Sequence, residues 1–105
     1  MVSNTIVPKT IALDPYIIDT LMLDLIGRDR RPSAFLVYLY LWRRAQGGRR
    51  RRIEASYQTI ADATGISKSA AQAAIQTLAR RRLVTIERRA ATAIPVYGVA
   101  MPWRA

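Results

Sequence analysis

Ser56 and Ser67 each stand immediately before a run with helical apolar spacing, and little more than Gly65 and Ile66 separates the two runs. That join constrains the fold more than any other stretch, because two helices turned so sharply must pack against each other. Ser56 is placed to cap a short helix, Tyr57 to Thr64, with Tyr57, Ile60 and Ala61 at its apolar positions. Gly65 supplies the left-handed residue that ends it. Ser67 caps a second helix with Lys68, Ser69 and Ala70 in its first turn, running to about Arg82. Its buried stripe is read from the spacing of Ala71, Ala74, Ile75 and Leu78.

The flanking segments are also legible. Leu83-Val84-Thr85-Ile86-Glu87 is a β-branched-rich strand, followed by a loop through Arg88-Arg89-Ala90-Ala91-Thr92-Ala93 and a second strand over Pro95–Val99. Ile53-Glu54-Ala55 is a third short strand. Upstream, Pro32 and Ser33 open a helix that runs to about Gln46 and is closed by Gly47-Gly48. Its segment Ala34–Trp42 is apolar nearly all the way round, so cover is expected on more than one side. Asp14 at an N-cap position and Pro15 after it start an earlier helix. That helix carries Ile18, Leu21, Met22, Leu25 and Ile26 at three- and four-residue steps and is expected to end at Gly27. Residues 1–13 read as an extended arm.

The chain of 105 residues fits one domain's worth of core. With no Cys and no His, it lacks the residues for disulfides, thiolate or imidazole metal sites, and His-based nucleophile systems. Asp14, Asp19, Asp24 and Asp29 recur every five residues, about 140° apart on a helix, so no carboxylate pair converges. No enzyme, metal or cofactor is expected. The longest uncharged apolar run is about half of what spans a bilayer, and no basic segment precedes an apolar one at the N-terminus, so the expectation is a cytoplasmic, nucleoid-associated protein without a membrane partner.

Charge points to the partner. Seventeen basic residues against seven acidic ones give +10. The excess is uneven. Residues 1–29 hold two basic groups against four aspartates, a balance of −2, while residues 30–105 hold fifteen against three, a balance of +12. Such a surface favours a polyanion.

Ile60-Ala61-x-x-x-Gly65-Ile66-Ser67, followed by Ala71 and Ala74-Ile75-x-x-Leu78, resembles the helix-turn-helix family. In that pattern Ala61 is small where the helices cross, and Ile66 plugs the angle between them. The hairpin after the second helix resembles the winged helix-turn-helix domain of GntR-like and MarR-like bacterial regulators. Residues 34–41 resemble the first helix of winged helices, also seen in plasmid and phage replication initiators. The fold class implied is mainly α with a small β-hairpin: a winged helix-turn-helix over 32–105, preceded by an arm and accessory helix over 1–31. No sensing domain follows the wing in this sequence, so metabolite sensing is not carried over.

The resemblance implies a sequence-specific double-stranded DNA-binding protein, a bacterial transcriptional regulator acting as a homodimer. The alternatives are a replication-initiation or plasmid or phage accessory winged helix, or a winged helix that binds RNA or protein. In the family, the N-terminal half of the second helix enters the major groove. Opposite the apolar stripe stand Ser69, Gln72, Ala73, Gln76 and Arg80, with Ser67, Lys68 and Ala70 at the N-terminus. Glutamine can pair with adenine and alanine can meet a thymine methyl, whereas Ser67 and Lys68 suit phosphate. Thr59 is a further phosphate candidate. Arg88 and Arg89 in the wing, and the loop run Arg49, Arg50, Arg51 and Arg52, are candidates for phosphates or a minor groove. Phe35, Tyr38, Tyr40 and Trp42 are expected in a core or dimer contact rather than as a base-stacking platform.

Overall fold

The computed structural model describes residues 10–46 and 52–104. Gly47, Gly48, Arg49, Arg50 and Arg51 lie outside the described residues, as does most of the expected arm. Two π-helical segments, Ile17–Leu21 and Leu23–Arg28, precede α1 (Pro32–Gln46), β1 (Arg52–Glu54), α2 (Tyr57–Thr64), α3 (Lys68–Arg80), β2 (Val84–Glu87) and β3 (Val96–Val99).

Both serine caps form as their positions require. The Ser56 Oγ accepts from the Thr59 N–H at 3.1 Å, and the Ser67 Oγ accepts from the Ala70 N–H at 3.1 Å. Each satisfies one of the donors that a helix start leaves without a partner. Gly65 adopts φ 80° and donates its N–H to the Ala61 carbonyl at 2.9 Å, ending α2. The α3 helix stops two residues before the expected Arg82, which instead takes φ 60°. There the Leu83 N–H reaches the Leu78 carbonyl at 2.9 Å and the Arg82 N–H reaches Ala79 at 3.0 Å. That pair of bonds is a Schellman stop with arginine where glycine is usual.

The accessory helix starts as expected, with the Asp14 Oδ1 accepting from the Tyr16 N–H at 3.0 Å. Its winding differs. The Met22 N–H donates to the Ile17 carbonyl and Asp29 to Asp24, each five residues back. Wider turns carry steps of four along one face, so Ile17, Leu21 and Leu25 are the buried residues. Ile18, Met22 and Ile26, expected in the core from α-helical spacing, are 42%, 38% and 38% exposed. Gly27 does not end the helix either. It lies inside the second segment, where a Cβ would come 3.0 Å from Leu23, and the left-handed residue after the helix is Arg30 at φ 55°.

In α1, Ala34, Phe35, Val37, Tyr38, Leu41 and Trp42 are buried, while Tyr40 is half-buried and Leu36 is 45% exposed. Cover is therefore broad but not complete. The polar tips of the buried aromatics are satisfied: the Tyr38 hydroxyl donates to the Ala100 carbonyl at 2.9 Å and the Trp42 indole N–H to Ala12 at 2.8 Å. These residues are core, not a stacking platform.

The strands form one antiparallel sheet in the order β1-β3-β2. Gly98 pairs with Arg52 on one side and Thr85 on the other, and a Cβ there would meet the Thr85 Oγ1 at 2.6 Å. The hairpin packs its Tyr97, Val84 and the preceding Leu83 into the same cluster as the helices, which also takes in Ile17, Leu21 and Leu25.

Candidate nucleic-acid interface

The face that α3 turns outward follows from what it buries. Ala71, Ala74, Ile75, Thr77 and Leu78 are buried. Thr77, not anticipated in the stripe, accepts from Arg80 at 3.3 Å. Ser69, Gln72, Ala73, Gln76 and Arg80 are exposed, with Ser67 and Lys68 exposed at the N-terminal end and Ala70 half-buried. Gln72 and Gln76 are one turn apart, and neither side-chain amide is engaged in a hydrogen bond among the described residues. Both keep their donors and acceptor for an external partner. The Ser67 and Ser69 hydroxyls lie 3.2 Å apart, and Ser67 also holds the cap. Thr59 is exposed in the first turn of α2, with its hydroxyl 3.0 Å from that of Ser56.

Two groups stand out among the cations of the described residues. Arg28 pairs with Asp24, Arg104 with Asp14, and Arg81 reaches Asp29 at 3.1 Å and Asp24 at 3.9 Å. Arg52, expected in a loop, stands in β1 and is ion-paired with Glu87 of β2. These pairs absorb much of the acidic N-terminal segment and knit it to the C-terminal end of α3. Lys68, Arg80, Arg82, Arg88 and Arg89 form no ion pair among the described residues. Lys68, Arg80, Arg82 and Arg89 keep their charge available to a polyanion, whereas Arg88 is engaged within the protein.

Arg88 and Arg89 are adjacent but not equivalent. The Arg88 guanidinium donates to the Tyr57 hydroxyl at 3.1 Å and to the Ala91 carbonyl at 3.3 Å, and its carbon lies 5.8 Å from the Tyr57 ring centroid. Arg89 is exposed and has no hydrogen-bond partner among the described residues. Tyr57 was legible only as an apolar helix position. Its hydroxyl meets a residue 31 positions away, a pairing that no local pattern encodes.

No helix among the described residues is long and apolar enough to cross a membrane. Among those residues, no group of three or more His, Cys, Asp and Glu side chains is arranged to hold a metal ion. A family model described as a helix-turn-helix domain matches residues 31–84, just over half of the chain. No curated protein and no solved structure matches the chain.

Proposed function

Because the chain belongs to the helix-turn-helix domain family, in its winged, DNA-binding form, we propose that it recognises specific sequences in double-stranded DNA and serves as a bacterial transcriptional regulator. The observation that carries this reading is the outward face of α3. Gln72 and Gln76 stand one turn apart, exposed and uncommitted, directly opposite a stripe that is buried throughout. In a major groove such a pair reads base edges, with Ala73 between them able to meet a thymine methyl. Ser67 and Lys68 at the positive end of α3 hold phosphate, as does Thr59 at the start of α2, with Ser69 and Ala70 in the same first turn of α3 against the DNA. Arg80 and Arg89 add cationic grip, and the Arg49–Arg51 run extends it. Arg52, tied to Glu87, contributes less.

The protein acts in the cytoplasm, on the nucleoid, as a binder and not as an enzyme. It works as a homodimer, the second copy covering the apolar stripe Ile18, Met22 and Ile26 on the accessory helix. Charge is compatible with that occupant: Asp19 lies towards one end of the stripe and Arg28, which also pairs with Asp24, towards the other, so an antiparallel two-fold pairing sets opposite charges near each other.

The test is a titration against a duplex selected from random sequence and against a scrambled duplex, at two salt concentrations. Affinity for both is expected to fall about 10³-fold between ~50 and ~200 mM salt, if roughly six phosphates are neutralised. Gln72→Ala is expected to cost about 1–3 kcal/mol on the selected site and almost nothing on the scrambled one. Equal losses on both duplexes, or none, would refute the assignment of α3 as the reading element. Tighter binding of RNA than of duplex would move the protein to another class.

A further inference from the structure

Two cations stand side by side at the end of β2, and only one is committed within the protein. The Arg88 guanidinium spans two acceptors at once, the Tyr57 hydroxyl at 3.1 Å and the Ala91 carbonyl at 3.3 Å. One acceptor lies at the first position of α2 and the other inside the wing loop, so the fork ties that loop to the helix-turn-helix unit. It also lies 5.8 Å from the centroid of the Tyr57 ring, within reach of a cation–π contact.

Tyr97 is fully buried on β3, and its hydroxyl has no hydrogen-bond partner among the described residues. Burial first, and Tyr57 second, push the Tyr97 hydroxyl up to about 12 against the lowering pull of Arg88. It therefore stays protonated and neutral at any physiological pH. The loop closes a turn of its own through the Ala93 N–H and the Ala90 carbonyl at 3.0 Å, next to the Ala91 that Arg88 holds. Arg89 shares none of these contacts.

We infer that Arg88 is a positioning residue that latches the wing to the N-terminus of α2 through Tyr57, leaving direct phosphate contact in the wing to Arg89. The assignment to Arg89 rests on the DNA-binding reading above; the latch does not. Arginine is required by geometry. Two separate guanidinium nitrogens make the two bonds; a lysine keeps the charge but carries its donors on one nitrogen and does not reproduce that fork. Tyr57→Phe removes the acceptor and changes no charge at all.

Four variants separate the two roles: Tyr57→Phe, Arg88→Lys, Arg88→Ala and Arg89→Ala, each titrated against duplex DNA over a salt series, with amide hydrogen exchange of residues 88–95 followed in the free protein. The first three are expected to weaken duplex binding alike, roughly 3- to 10-fold for a lost coupling of this kind, with the salt slope unchanged. Arg89→Ala is expected to lower that slope by about 0.9, the signature of one phosphate contact. Tyr57→Phe should speed exchange in the wing without DNA present. Wild-type affinity in Arg88→Lys, together with a reduced salt slope in Arg88→Ala, would make Arg88 a phosphate contact and overturn the latch. So would unchanged wing exchange in Tyr57→Phe. If the wild-type protein binds no duplex, the DNA reading and the role of Arg89 fall, and the exchange measurement still decides the latch.

Discussion

Arg30 and Arg82 both hold a left-handed backbone conformation at the end of a helix, at φ 55° and φ 60°. For a residue with a Cβ that conformation costs about 1–2 kcal/mol. Glycine escapes the strain but loses more freedom on folding, about 0.5–1 kcal/mol relative to alanine. The difference favours glycine at Arg82, where the Schellman bonds to Ala79 and Leu78 already hold the backbone. Arg82→Gly is therefore expected to stabilise the fold by about 0.5–1 kcal/mol, raising Tm by roughly 3–5 °C. A calorimetric scan checks it, and a lower Tm would mean that the arginine side chain contributes more than its backbone costs. The same two residues explain why these helix ends carry no glycine signal. Gly65 advertises its left-handed turn, and α2 ends where its glycine stands. Arg82 advertises nothing, and Gly27, which invites a stop, lies inside a helix that continues to Arg28.

At the scale of elements, the two capped helices and the hairpin were legible because their signals are local: a serine at each start, a glycine between them, and apolar spacing that keeps to the α-helical period. The accessory helix departs from its α-helical spacing because its bonds span five residues, and the widened turn moves Ile17 inward and Ile18 outward. Its tether to the far end of the chain was not legible at all. The Arg104 Nε donates to the Asp14 Oδ2 at 2.7 Å, and Trp103 stacks on Tyr16 at 4.5 Å between ring centroids. The Asp14 carboxyl is lowered below its ordinary 3.8, chiefly by the Tyr16 N–H; partial desolvation opposes this and Arg104 adds to it. A carboxyl lowered in the folded state binds its proton more readily when unfolded. Its contribution is thus present above the unfolded pKa and lost as pH falls through the folded one. Asp14→Asn keeps an acceptor for Tyr16 and removes the charge. The variant is expected to have a lower Tm near neutrality and a shallower fall in Tm between about pH 5 and about pH 3. Parallel curves for the two proteins would show that the tether carries no linkage.

For the whole molecule, the charge separation and the uncovered stripe lead to one arrangement. Ile18, Met22 and Ile26 are roughly two-fifths exposed and Leu23 is 58% exposed, all on the acidic accessory segment before the winged unit. Completing the burial of such half-covered side chains gives about 1 kcal/mol each, hence about 8 kcal/mol for the eight in a two-fold pair. Association costs at least about 4 kcal/mol. The remainder, at most about 4 kcal/mol, corresponds to a dimer of millimolar affinity or weaker in free solution. The exposed Asp19 and Arg28 pairs add little, about 0.2–1 kcal/mol each. On the proposed homodimer reading, two copies are expected to associate weakly alone and firmly on a duplex that carries two half-sites about one helical turn apart. Sedimentation at several concentrations up to the solubility limit is expected to show rising weight-average mass. Binding to a palindromic duplex should be cooperative and to a single half-site not. Met22→Asp, which buries a charge at the centre of the pairing, should abolish both the mass increase and the cooperativity while leaving affinity for the single half-site intact. A strictly monomeric protein that binds the palindrome without cooperativity would instead make the accessory helix a cap on its own domain, with Ile18, Met22 and Ile26 facing solvent.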